Sequence, residues 1–336
     1  MVQSNGLQLE HKGLELSQEY YERIGRPVLE ELFPAYLDRI AVGLVGEGSE
    51  CFGYDDMISM DHDYGPGFCI WLTKEDYEEI GEEMSGIYDA LPKEYRGISA
   101  KTHRTESEGR RGVLEIDKFY QKFLGAGGVP RKLSDWMMIP EHYLSVATNG
   151  RVFEDNLGVF TGIREQLLEY YPEDIRLKKI AARAITMAHS GQCNYSRMMR
   201  RHDTVAGVLA LSEFIRASIS MVYILNKKYT PYYKWMWAGM KELERLSEVG
   251  TILKNLVDLG PNKGSWYTNE WNTYQIELNR NDKVIVMIEE ICALIIKELK
   301  VQGISSSSSD YLEEHAYAAR HRIKDETIRS LPVMAS

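Results

Sequence analysis

The sequence predicts an α+β protein in two parts: a small sheet-and-helix domain over residues 1–130 and an all-α helical bundle over 131–336. Three observations lead there. Strand-like apolar runs bounded by glycine lie in the first part, helical periodicity takes over in the second, and 336 residues correspond to about two domains.

The elements follow in order. In residues 16–33, Tyr20, Ile24, Val28, Leu29 and Leu32 recur at helical spacing, with Ser17 placed to cap and Pro34 to stop the helix. Residues 40–45 (IAVGLV) read as a short buried strand, followed by a glycine-rich turn at 46–53. Residues 60–72 read as an extended segment kinked at Gly65-Pro66-Gly67. An acid-rich helix is expected over 74–91, a polar loop over 97–111, and a third strand over 112–116 (GVLEI), with Asp117 placed to cap a short helix toward Leu124. Helices are then expected over 134–148, 163–170, 174–189, 202–229, 232–249 and 282–302. The serine run 305–309 reads as a flexible link before a last helix over 311–331.

Composition narrows the function classes. With 44% hydrophobic and 27% charged residues, a disordered or fibrous chain is excluded. Forty basic against fifty acidic residues, a formal charge of -10, argue against broad binding to nucleic acid and mildly favour a cationic ligand. Cys51, Cys69, Cys193 and Cys292 are scattered without CxxC spacing, so reduced thiols are expected. His62, His103, His189 and His202 show no metal-ligand spacing. The N-terminus lacks a basic-then-apolar leader, and no run approaches the ~18 uninterrupted apolar residues of a membrane span. A cytoplasmic protein without membrane association is the expectation.

The informative stretch is residues 45–64, VGEGSECFGYDDMISMDHDY. Gly48 and Ser49 follow the first strand, and 11 residues separate Ser49 from Asp61. In an extended segment Asp61 and Asp63 would share a face, where two carboxylates repel unless a cation lies between them. Mg²⁺ suits such oxygen donors and arrives with substrate phosphates. The Gly48–Ser49 turn offers backbone N–H groups and a hydroxyl to those phosphates. Either fragment alone carries little; the combination after an apolar strand carries the reading.

This pattern resembles the nucleotidyltransferase superfamily, which includes DNA polymerase beta and the antibiotic nucleotidyltransferases. RIAVGLVGEGSECFGYDD and SMDHDYGPGFCIWL, with GRVFEDNLG (150–158), IREQLLEYYPED (163–174) and YTPYYKW (229–235), are similar to a family of bacterial nucleotidyltransferase-like proteins with a helical second domain. The resemblance spans about residues 16–243. It implies a mixed sheet and transfer of a nucleoside monophosphate from an NTP, with ATP the expected donor, to an acceptor hydroxyl. Two Mg²⁺ ions would rest on Asp61 and Asp63. Glu115, in Leu114-Glu115-Ile116, would be the third carboxylate, binding a metal or taking the acceptor's proton; Asp117 is its rival.

One departure stands out: Glu47 and Glu50 flank the turn, where related transferases place a basic residue. Cations are therefore expected from the helical domain, with Arg197, Arg201 and Lys234 binding nucleotide alongside Gly48 and Ser49. Lys234 lies among aromatics suited to stack a base, and it also suits a snorkelling surface position. The arginines, Arg200 included, equally suit a solvated helix face or pairing with Asp203. The acceptor is open between an aminoglycoside-like small molecule, a protein side chain and a tRNA end, the last disfavoured by charge. The alternatives are a non-catalytic nucleotide-binding or helical interaction protein and a toxin-type transferase.

Overall fold

The computed structural model describes residues 12–61, 64–100, 110–266 and 278–335. The architecture is α+β, in two compact units: Met1–Arg131 with Ile139–Glu169, and Lys132–Met138 with Tyr170–Ser336.

The first unit is built on a mixed four-stranded sheet. Its strands are β1 (Ala41–Leu44), β2 (Cys69–Leu72), β5 (Gly112–Glu115) and β6 (Arg151–Asp155), in the order β5-β2-β1-β6. A two-residue-stranded hairpin, β3 (Glu94–Tyr95) with β4 (Ile98–Ser99), stands apart from it. β1 runs antiparallel to β2 and β6, whereas β2 and β5 are parallel. A parallel pair needs a crossover, and the helix Lys74–Ala90 supplies it. Thr73 caps that helix through its hydroxyl, which accepts from the Asp76 N–H at 3.3 Å. The acidic helix is not solvated throughout, because Asp76 is buried and held by both Nε (3.0 Å) and Nη2 (2.6 Å) of Arg39.

β2 is apolar at every position because both of its faces are covered. Phe68, Ile70 and Leu72 join Tyr20, Tyr21, Leu29 and Met84 in one core layer. On the other face Trp71 stacks on Phe160 with ring centroids 4.0 Å apart, and Phe119 meets both rings edge-on or tilted. The first helical segment is Gly13–Tyr20, a π-helical turn Tyr21–Gly25 and Arg26–Leu32. The Tyr21 hydroxyl donates to the Glu154 carboxylate on β6.

β6 lies inside the stretch expected to be helical bundle, and it moves the domain boundary well past residue 130. The register of β1 against β6 shifts between Val42 and Gly43. There the chains approach so closely that a Cβ on Gly43 would stand 2.5 Å from the Arg151 carbonyl oxygen. β6 is a half-exposed, polar edge strand of five residues, so it lacks the apolar run that marks a strand in sequence.

The second unit is helical. Glu173–Met187 is its buried axis and continues through the π-helical segment Ala188–Tyr195 into Ser196–Arg200. Around it lie Thr204–Leu225, Lys283–Val301 and Leu312–His321. Three expected long helices are broken: the one expected over 311–331 is Leu312–His321 and Glu326–Ser330, and two others divide as well. Pro140 separates Leu133–Met138 from Glu141–Thr148, and residues 241–246 separate Tyr233–Met240 from Ser247–Leu259. Thr204–Leu225 holds an 18-residue window of mean hydropathy 1.7, long and apolar enough for a span by composition, and 61% of that window is buried within the fold.

The serine run is an ordered element rather than a flexible link. The hydroxyls of Ser305, Ser307 and Ser309 accept from the N–H groups of Ser307, Ser309 and Tyr311. The fully buried His315 lies 2.8 Å from Ser305 Oγ and 2.9 Å from the Ser309 carbonyl.

Candidate functional site

The Gly48–Ser49 turn follows the C-terminal end of β1. In an antiparallel pair that end is level with the start of the neighbouring strand, so the turn lies beside Cys69 and, one strand further, Gly112. Asn149 pins it from both sides: Gly46 N–H donates to Asn149 Oδ1 at 2.9 Å, and Asn149 Nδ2 donates to the Gly46 carbonyl at 2.8 Å. Gly150 N–H adds a bond to the Cys51 carbonyl at 2.8 Å.

Gly48 has φ +132°, a conformation that favours glycine. Ser49 opens the short helix Ser49–Phe52, which closes on Gly53 in the left-handed region. A Cβ at Gly48 would stand 2.5 Å from Glu50 Oε1, so the acid two residues on folds over the turn in the space the glycine leaves.

That acid does not confront a substrate unpaired. Glu50 is buried, and Arg111 Nη2 lies 3.0 Å from its Oε1 while Arg111 Nη1 donates to the Gly65 carbonyl at 2.7 Å. Burial is the largest influence and opposes the Arg111 charge, but Glu50, Tyr88 and Cys51 together outweigh it and the guanidinium's pKa stands above its ordinary value. Glu47 is met by Lys122 Nζ at 2.7 Å and Arg110 Nε at 3.7 Å. The cations that the structure places at the turn are Arg110, Arg111 and Lys122, all inside the first unit. Sequence reasoning missed them because their partners lie 61 and 75 positions away. The available signal was an Arg-Arg pair directly before a strand, opposite two acids flanking a glycine turn.

The expected carboxylates fare differently. Asp61 ends a 3-10 turn, Ser59–Asp61, and β2 begins only at Cys69, so Asp61 precedes the strand rather than lying on it. Asp63 and the Asp61 side chain lie outside the described residues. Glu115 stands at the far end of β5, level with Leu72. That is three residues, roughly 10 Å, along the strand from Gly112. Glu115 is buried with Lys118 Nζ at 2.7 Å, and it is the N-cap residue of the helix Ile116–Leu124. Asp117 is therefore in that helix's first turn rather than its cap. The structure does not bring Glu115 to the turn. Among the described residues no three His, Cys, Asp or Glu side chains cluster to hold a metal.

Cys51 and Cys69 lie beside the turn, but both are free and fully buried. Burial pushes the Cys69 thiol up to about 12 and the Cys51 thiol well above its ordinary value, which removes them as nucleophiles. Arg197, Arg201 and Lys234 belong to the second unit and are exposed. Lys234 Nζ lies over the Trp235 ring, 5.0 Å from its centroid. Asp203 caps Thr204–Leu225 through a bond from Ala206 N–H at 3.0 Å, so its carboxylate is engaged in holding that helix end.

A family model described as "Domain of unknown function (DUF4037)" matches residues 136–236. Among solved structures, a nucleotidyltransferase-like protein from Exiguobacterium sibiricum 255-15 is similar at 11% sequence identity and a TM-score of 0.33, over 85% of this chain and 81% of that one. No curated protein matches this sequence.

Proposed function

We propose that the first unit binds an NTP at the Gly48–Ser49 turn and transfers its nucleoside monophosphate to a hydroxyl of an acceptor. The observation that carries the reading is the ring of Arg110, Arg111 and Lys122 around a glycine–serine turn at the end of β1. Cations already set against Glu47 can trade that carboxylate for phosphate oxygens of higher charge. Arg111 is the structural member, since it also ties Gly65 in place. The Ser49 hydroxyl and the N–H groups of a positive-φ turn are suited to phosphate oxygens.

In the reaction, the acceptor oxygen forms a bond to the α-phosphorus, the bond to the bridging oxygen of pyrophosphate breaks, and the hydroxyl proton leaves to a base. Mg²⁺ held by Asp61, Asp63 and the phosphates would neutralise charge on the leaving group. ATP is the proposed donor, and an aminoglycoside-like hydroxyl compound suits the acidic chain as acceptor. The test is ATP binding and pyrophosphate release with Mg²⁺, in the wild type and in Asp61→Asn, Asp63→Asn and Arg110→Ala/Lys122→Ala. Binding lost in the double variant and release lost in the aspartate variants are expected. Wild-type binding that none of these changes alters would overturn the reading.

A second reading is favoured by one observation, the location of Glu115 at the other end of β5 with its own lysine. A turn without a third carboxylate suits nucleotide binding without turnover. Tight ATP binding with no pyrophosphate released on any acceptor would select it.

A further inference from the structure

We propose that a cleft of about 340 Å³ in the second unit, lined by Tyr317, Arg320, His321, Glu326, Arg329 and Ser330, binds the phosphate group of a small phosphate monoester. The inference is independent of the nucleotide reading, because every residue it uses belongs to the helical unit.

The cleft lies where the helices Leu312–His321 and Glu326–Ser330 pack against Glu173–Met187. Arg320 is fixed by one bond, from its Nε to the Arg329 carbonyl at 2.9 Å. Among the described residues neither of its terminal nitrogens meets a protein acceptor, so the open fork of a preset guanidinium borders the cleft. Arg329 donates Nη1 to the Ile323 carbonyl at 3.2 Å, which holds the second guanidinium at the same opening. Its acid, Glu326, is 3.6 Å away and 90% exposed, so it offsets little of that charge.

Behind the cleft stands a second cation without an anion. Lys178 is fully buried, and its Nζ donates to the carbonyls of Leu331 (3.1 Å) and Pro332 (2.6 Å), with no carboxylate in reach among the described residues. Burial first, and the Arg320 charge second, press the amine down to about 8. Arg320 and Lys178 repel each other, and the one acid lining the cleft is the exposed Glu326, so a net positive field remains that an anionic ligand relieves.

The donors favour phosphate over carboxylate. The lining carries two guanidiniums, Arg320 and Arg329, and the imidazole of His321. That suits the three terminal oxygens of a tetrahedral monoester better than the two of a planar carboxylate. The volume is at the small end of ligand sites, which begin near ~300 Å³, and so admits a compact ester.

The experiment is calorimetry on the full chain without divalent metal, titrating inorganic phosphate, 5′-AMP and, as the carboxylate arm, succinate. The two phosphates are expected to bind and succinate not to. Arg320→Gln and His321→Glu should each weaken phosphate at least about tenfold. Arg320→Lys, which keeps the charge without the fork, should retain only part of it, and the Arg320-dependent binding should persist in Arg110→Ala/Lys122→Ala. A folded Arg320→Gln variant, checked by circular dichroism, that binds as the wild type does would overturn the proposal. So would succinate binding equal to phosphate, or phosphate binding lost in the Arg110/Lys122 variant alone, which would assign the anion to the first unit.

Discussion

At the Gly48–Ser49 turn every acid has its own cation, Arg111 for Glu50 at 3.0 Å and Lys122 for Glu47 at 2.7 Å. Along Glu173–Met187 the pattern is mixed: Arg176 keeps a carboxylate, Glu173 at 3.1 Å, whereas Lys178 donates to two carbonyls and Arg183 donates to the Ser220 hydroxyl at 3.0 Å. The two regions therefore respond differently to the loss of a partner. A carboxylate stripped of its guanidinium inside the first unit is left charged and poorly solvated. A lysine resting on carbonyls can shed its proton and stay hydrogen-bonded. Charge balance is built into the turn and, at Lys178, deferred to a ligand or to pH.

The largest effect that would break this contrast is at Arg111. Arg111→Met strands Glu50 and is expected to cost about 3–5 kcal/mol in urea unfolding. Pairing it with Glu50→Gln should recover more than half of that loss; a double variant no better than the single would mean Arg111 acts through Gly65 instead.

Next comes Lys178. Its folded pKa, about 8, lies below its ordinary 10.5, so the unfolded chain binds the proton more tightly between those values. Its contribution to stability therefore rises as pH climbs from about 8 to 10.5 and is flat below 8. Lys178→Met removes the two carbonyl bonds and should cost roughly 1–3 kcal/mol at neutral pH. The wild-type minus variant difference in unfolding free energy should grow toward pH 10; a difference that is level across the range contradicts the assignment.

The smallest stability effect belongs to the exposed pair Lys122–Glu47. Lys122→Ala should change stability by less than about 1 kcal/mol. Combined with Arg110→Ala, it should weaken ATP roughly tenfold. The same variants thus separate a structural ion pair from a phosphate contact.

Much of the fold was legible because periodicity reports burial. The strands at 41–44 and 112–115 and the helix at 74–90 fall where the apolar spacing placed them. β6 was hidden because an edge strand with polar, half-exposed positions lacks that spacing. The site was legible as a turn but not as an electrostatic unit. Gly48 and Ser49 announce themselves locally, whereas Arg110, Arg111 and Asn149 reach the turn through pairings that only the folded sheet creates. Glu115 shows the limit most plainly. Its apolar–acid–apolar setting identifies a strand carboxylate, but the end of the sheet at which it stands depends on the parallel pairing with β2.

The hydroxyl ladder from Ser305 to Ser309, closed by His315, carries a practical consequence. A stretch that by composition invites tag insertion or protease nicking is here a rung-by-rung brace, locked to a buried imidazole. Exchanging those serines for glycines would keep the length and the polarity but dissolve the brace, so splice points for engineered fusions belong elsewhere in the chain.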